Sequence, residues 1–169
     1  MHYFNGFSLR GEEEFFREML IEGEFVVAGF SYGAQKAFEY AYGSSERVDR
    51  LILLSPAFFQ HQKKSFIKTQ LRYFKADAEA YRKEFLKNVA YPSTHDLTPY
   101  LTHGEVKELE ELLTYQWESD KIEELQKRGV TIEVFLGGQD KIVDSEEAYS
   151  FFSELTTTYL FKEQGHLLA

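Results

Sequence analysis

Residues 25–34 read Phe25-Val26-Val27-Ala28-Gly29-Phe30-Ser31-Tyr32-Gly33-Ala34. The first four are apolar and suit a strand buried on both faces. The next five spell Gly-x-Ser-x-Gly, and an Ala- and aromatic-rich helical pattern follows from Ala34 to Tyr42. Strand, tight turn and helix in that order form the context in which such a serine is a nucleophile. The residue types have a physical reason. Ser31 has to occupy a strained backbone position at the tip of the turn, and Gly29 and Gly33 let strand and helix approach without side-chain collision. The turn exposes the Ser31 hydroxyl. It also places the Tyr32 N–H at a helix N-terminus, where an oxyanion is stabilised by the N–H and the helix dipole.

A serine hydroxyl needs a base. Of His2, His61, His95, His103 and His166, only His166 follows a glycine after the last expected strand. Folds with an elbow serine place serine, acid and histidine in that chain order. The acid is then expected past the penultimate strand, where Gly137-Gly138-Gln139-Asp140-Lys141-Ile142-Val143 follows Thr131–Leu136. Asp140 is the candidate. Asp144 is its competitor, read as a helix cap because Ser145-Glu146-Glu147 opens a helical pattern. A second oxyanion donor is expected from the turn Tyr3-Phe4-Asn5-Gly6-Phe7, with the backbone N–H of Phe7 as candidate and Gly6 next.

Further strands are expected at Tyr3–Phe4, Leu51–Leu54 and, more weakly, Thr158–Phe161. Helical patterns cover Glu12–Ile21 and Ser145–Leu155. Alternation of strand and helix implies a parallel sheet with right-handed crossovers. From about Pro56 to Arg128 the alternation stops. Ser65–Phe74, Ala78–Val89 and Glu105–Trp117 carry helical patterns, with Pro92 and Pro99 as breaks. The expected division is a core of residues 1–55 and 129–169 with a helical cap at 56–128.

The chain has 169 residues, enough for one core and a modest cap. It has no cysteine, which excludes disulfides and thiolate chemistry. The histidines lack metal-ligand spacing and no phosphate-binding glycine loop is present, so neither metal nor cofactor is expected. A net charge of −9 argues against nucleic acid. No apolar run is long enough to span a bilayer, and the N-terminus lacks the pattern of a signal peptide. These readings favour the cytoplasm. Between His61 and Ala90, however, eight basic residues face three acidic ones, a local surplus of +5 against −14 elsewhere. Such a segment is either a solvated helix pair or a docking face for an acidic partner.

Asn5-Gly6-Phe7, Gly29-Phe30-Ser31-Tyr32-Gly33, Leu51-Ile52-Leu53-Leu54-Ser55-Pro56, Gly137-Gly138-Gln139-Asp140-Lys141-Ile142-Val143 and Gly165-His166 together resemble the landmarks of the α/β-hydrolases, in order and over nearly the whole chain. The run Gly29 to Tyr40, the compact size and the basic helical insert resemble the short BioV-type pimelyl-[acyl-carrier protein] methyl ester esterases of biotin synthesis. Asn5 stands where the family usually has the histidine of the oxyanion loop. The early strands, one strand between Phe7 and Phe25, and the last helix are missing from the pattern. The expectation is therefore a minimal α/β-hydrolase fold, an about five-stranded parallel sheet with helices on both faces and a helical cap insertion.

The resemblance implies a serine carboxylesterase that hydrolyses the methyl ester of pimeloyl-acyl-carrier protein. Ser31, His166 and Asp140 would form the triad, and the N–H groups of Tyr32 and Phe7 would bind the oxyanion. Phe58 and Phe59, with Phe7 and Tyr32, are candidate walls for the acyl chain. Lys64, Lys68, Arg72 and Lys75 are candidates to meet the acidic carrier protein. Two alternatives stand beside this reading: an acyl thioesterase or general small-ester hydrolase with the same triad, and a non-catalytic hydrolase-like binding module.

Overall fold

The computed structural model describes residues 1–169. Five strands pair in parallel in sequential order: β1 (His2–Phe4), β2 (Val26–Phe30), β3 (Arg50–Leu54), β4 (Thr131–Gly137) and β5 (Thr157–Phe161). The registers place Val27 beside Leu51, Leu51 beside Ile132 and Val134 beside Thr158. Because strand side chains alternate with period two, each strand feeds both faces of the sheet. Val27, Leu51, Leu53, Ile132, Val134 and Leu136 point into one core. Val26, Ala28, Phe30, Ile52, Leu54 and Phe135 point into the other. Continuous apolar strands are the signature of that two-sided burial.

The first face is covered by α1 (Tyr32–Gly43), α5 (Ser119–Lys127) and α6 (Ser145–Ser153). They deliver Ala34, Ala37, Phe38, Ile122, Leu125, Ala148 and Phe152 to that core. Phe16 and the last turns of α3 (Ala78–Ala90) cover the second face, through Leu86, Val89 and Ala90. The connection from β1 to β2 therefore crosses the face opposite to the one that α1 crosses.

Between β3 and β4 lie α2 (Lys64–Ala76), α3, α4 (Val106–Thr114) and α5. The first three match the helical patterns of the sequence. Helix α5 carries no sequence-level expectation. Its Tyr42–Glu124 hydrogen bond and its buried Ile122 and Leu125 set it beside α1 in the layer under the sheet. The part of the insert that stands over the strand ends is α2 to α4. Two patterns shorten. Glu12–Ile21 folds only as a five-residue 3-10 turn, Glu12–Phe16. Phe16 alone of its aromatic face is fully buried, and the Phe16 carbonyl accepts from both Met19 and Leu20, closing the turn. Helix α4 ends at Thr114. Trp117 leaves the helix to bury its indole, whose N–H donates to the Ala57 carbonyl at 2.9 Å.

The elbow fixes how tightly these layers approach. A Cβ on Gly33 would overlap the carbonyls of Phe4 and Asn5, and one on Gly29 would overlap the carbonyl of Gly33. Helix α1 thus starts in van der Waals contact with the end of β1. Gly33→Ala is expected to cost about 3 kcal/mol of unfolding free energy or to abolish folding, since the collision is with backbone and cannot relax through a rotamer. Urea unfolding that matches the wild type would contradict the close approach.

Candidate active site

Three loops at the carboxyl ends of β2, β4 and β5 bring the sequence candidates together. Ser31 sits at φ 56°, ψ −114°, an unfavourable conformation for a side-chain-bearing residue. Backbone hydrogen bonds hold it there: its N–H donates to Leu54 at 2.9 Å, and its carbonyl accepts from Ala34 and Ala57, each at 3.1 Å. His166 Nε2 lies 2.9 Å from Ser31 Oγ, and His166 Nδ1 lies 2.6 Å from Asp140 Oδ2. The ring is completely buried and the Asp140 carboxylate is 1% exposed. Asp140 Oδ1 in turn accepts from the N–H groups of Ile142 and Val143 at 2.6 and 2.9 Å. The carboxylate is thus held by two main-chain donors and a ring nitrogen, which leaves the imidazole one orientation. Its competitor Asp144 does cap α6, accepting from the N–H groups of Glu146 and Glu147.

In this arrangement Nδ1–H donates to Asp140, and Nε2 accepts from the serine hydroxyl. An imidazole so placed can take the hydroxyl proton, and the carboxylate stabilises the imidazolium that results. The histidine segment is anchored as firmly as the ring. Gln139 N–H donates to the Gln164 carbonyl at 2.8 Å and Leu167 N–H to Val89 at 3.2 Å. Ser55 Oγ donates to the carbonyl of His166 at 2.6 Å, fully buried. Ser55 has φ 39°, so a second strained serine, at the end of β3, holds the His166 segment. In the sequence Ser55 is only one residue of the stretch Leu51–Pro56. Its partner is 111 residues away, and no local pattern announces such a bond.

Of the two candidates for the second oxyanion donor, Gly6 is already engaged: its N–H donates to Glu12 Oε1 at 2.7 Å. The N–H of Phe7 donates to no protein acceptor. Tyr32 N–H is at the first position of α1, where no intrahelical acceptor exists. The Tyr32 phenol donates to Glu111 of α4 at 2.7 Å, and burial together with that bond pushes its pKa upward.

Ser31 and Asp140 open onto a cavity of about 830 Å³ between the strand ends and the cap. Phe59, Phe66, Tyr73, Phe85, Leu112 and Ile142 contribute its apolar walls. Tyr81, its phenol pushed up to about 12 by burial, donates to Gln70 at 2.8 Å inside it. Phe59 lines the cavity as expected. Phe58 does not: it packs on Phe151 and Phe152 in the core, because the chain turning into the cap sends alternate side chains apart. The rings of Phe7 and Tyr32 are also outside it; Phe7 packs edge-on against Phe85 behind the wall. Lys64, Lys68, Arg72 and Lys75 are exposed on the outer side of α2 and take no part in the cavity. No group of three or more His, Cys, Asp or Glu side chains is placed to hold a metal ion.

A family model described as alpha/beta hydrolase fold matches residues 8–109. Among solved structures, an esterase from Exiguobacterium antarcticum superposes with a TM-score of 0.65 at 19% identity, covering 82% of this chain and 58% of that one. Carboxylesterase CesB from Bacillus subtilis gives 0.59 at 20% identity, covering 95% and 62%. BioG from Haemophilus influenzae gives 0.62 at 12% identity, covering 98% and 87%. The chain thus spans less than two thirds of the length of both esterases. No curated protein matches by sequence.

Ser55→Ala leaves the buried His166 carbonyl without a donor. The expected loss is about 1–3 kcal/mol of unfolding free energy. An unchanged urea transition would show that the carbonyl is satisfied another way.

Proposed function

The chain belongs to the α/β-hydrolase fold family, and on that premise we propose that it is a serine carboxylesterase acting on the methyl ester of pimeloyl-acyl-carrier protein in biotin synthesis. One observation carries the serine chemistry: the buried His166 stands between Ser31 and Asp140 at 2.9 and 2.6 Å, and those two residues line a large apolar cavity. Ser31 attacks the ester carbonyl as His166 takes its proton. The N–H groups of Tyr32 and Phe7 receive the developing oxyanion. His166 then returns the proton to the departing methanol. Water repeats the sequence on the acyl-enzyme, again through His166, and the free carboxylate leaves.

The choice of a carrier-bound substrate rests on α2. Its Phe66, Gln70 and Tyr73 face the cavity, and Tyr73 is 55% exposed at the mouth. Lys64, Lys68, Arg72 and Lys75 follow one another at helical spacings on the outer side, a ridge about 16 Å long at 1.5 Å per residue. None of the four makes an ion pair with an acidic side chain of the protein, unlike Lys107 or Lys121. An acidic carrier on that ridge sits beside the cavity mouth, so an extended acyl chain can reach Ser31 from it. The motif resemblance to BioV-type esterases supports the pimeloyl ester. The fold shared with BioG is compatible with it and is shared equally with esterases of other names. No helix of the molecule is long and apolar enough to cross a membrane.

Wild-type protein is expected to release methanol from the carrier-bound methyl ester, with Ser31→Ala inert and Asp140→Asn slower by on the order of 10³–10⁴ in kcat. Full activity of Ser31→Ala would end the serine mechanism. Faster cleavage of the thioester than of the methyl ester on the same carrier would replace this reading with a thioesterase. Reversing Lys68, Arg72 and Lys75 to Glu should raise KM for the carrier-bound ester roughly tenfold at low salt and leave a small free ester unaffected. Equal KM values would remove the ridge from the proposal.

A further inference from the structure

Glu12 is the one acidic side chain in the molecule that is completely buried yet belongs to no ion pair. It is the first residue of the short 3-10 turn on the second face of the sheet. Its Oε1 accepts the Gly6 N–H at 2.7 Å and the Tyr3 hydroxyl at 3.3 Å, while Oε2 has no partner. Gly6 immediately precedes Phe7, whose N–H is free. Around them the loop is closed by Asn5 Oδ1, which accepts from Gly11 N–H at 3.0 Å, and by Ser8 Oγ, which accepts from Gly104 N–H at 3.2 Å. A Cβ on Gly6 would come within 2.9 Å of the Phe30 ring, and that ring lies 5.0 Å from the imidazole of His166. The peptide that Glu12 holds is therefore pressed against the wall of the triad.

We propose that Glu12 is a positioning residue whose carboxylate locks the Gly6 peptide, so that the following Phe7 N–H is presented to the oxyanion. The assignment rests on the serine-hydrolase reading given above. Holding Gly6 from behind does two things. It removes a competing donor from the loop, and it fixes the plane from which the next N–H projects. An ionised carboxylate does this better than a neutral acceptor, because a charge-assisted bond is about twice as strong as one between neutral groups. Preorganised donors contribute to the transition state in proportion to how little they must reorganise.

The ionised form is costly to the fold. Burial pushes the Glu12 carboxyl up to about 7, against partial relief from the Gly6 hydrogen bond and its own backbone N–H, with Glu13 adding repulsion. The other group facing it is the Tyr3 phenol, itself pushed upward by burial and by Glu12. No basic side chain offsets the charge. Between about 4.5, the ordinary value, and about 7, the folded chain holds a proton that the unfolded chain has lost. Stability conferred at this position is therefore full at acid pH and declines as pH rises through that window. Catalytic benefit rises over the same window. The two properties move in opposite directions with pH, which a purely structural glutamate cannot produce.

The test compares wild type with Glu12→Gln on p-nitrophenyl butyrate between pH 5.5 and 8.5, with thermal midpoints measured in the same buffers. Glutamine keeps the shape and an acceptor oxygen but cannot ionise. The kcat of wild type relative to Glu12→Gln should rise from about 1 at pH 5.5 to roughly 10 at pH 8.5, with the KM ratio flat. Over the same range the thermal midpoint of wild type should fall relative to the variant. The ratio isolates Glu12, because every other side chain is common to both proteins. A kcat ratio that is flat or falls with pH would overturn the proposal, as would an effect confined to KM. A variant that fails to fold would also overturn it, by making Glu12 a structural requirement. Ser31→Ala is run alongside: if it is inert while the ratio stays flat, Glu12 alone loses its role; if it is active, the serine-hydrolase reading falls first.

Discussion

Everything at this site depends on holding one residue, Ser31, in a backbone conformation that a side chain disfavours. Such a conformation costs of the order of 1–3 kcal/mol and persists only where the surroundings over-determine it. Here three main-chain hydrogen bonds, one donated to β3, one accepted from the start of α1 and one accepted from the chain leaving β3, leave Ser31 no alternative. The same turn sets the distance between sheet and helix. Gly29 and Gly33 are where strand, helix and the end of β1 touch through backbone, and neither tolerates a Cβ. The placement of the Ser31 hydroxyl at the cavity, the helix N-terminus and the proximity of the Asn5–Phe7 loop are thus three results of a single geometric constraint.

Buried polar groups must be paired, and the site obeys that rule by nesting one hydrogen bond within another. Ser31 meets His166, His166 meets Asp140, and Asp140 meets two main-chain donors. Ser55 closes the remaining open valence at the histidine carbonyl. In a low-dielectric setting such a chain is strong when complete and expensive when broken. Glu12 departs from the pattern, with one oxygen unpartnered. The same carboxylate holds the loop just before Phe7 through its other oxygen.

Much of this was legible in the amino-acid order. The strand before Gly29, the glycine spacing around Ser31, and the positions of Asp140 and His166 after apolar runs are local patterns, and local patterns survive into the fold. The helical pattern from Glu12 to Ile21 is longer than the turn that forms, because periodicity reports amphipathicity, whereas only Phe16 has a deep core to enter. Helix α5 carries no clear pattern in the sequence because Ser119–Lys127 is rich in charge, with only Ile122 and Leu125 as its buried face. The sequence does not distinguish Phe58 from Phe59 as a cavity wall, because an aromatic near the cap can face either way until the turn is formed. Ser55 and Glu12 act through partners set by tertiary packing. Their roles could not be read from neighbours in the chain.

The path of residues 5–25 has a topological meaning. From β1 to β2 and from β2 to β3 the chain steps one strand in the same direction, yet the first step crosses the Phe16 face and the second the α1 face. Two such steps over opposite faces are mirror-related in hand. With α1, α5 and α6 together on one side, the odd connection is the first, and it winds left-handed where parallel crossovers almost always wind right. The natural twist of the strands gives no guidance to a left-handed link. Its course has to be written by discrete pins, and the carboxylate of Glu12, the amide of Asn5 and the hydroxyl of Ser8 are those pins.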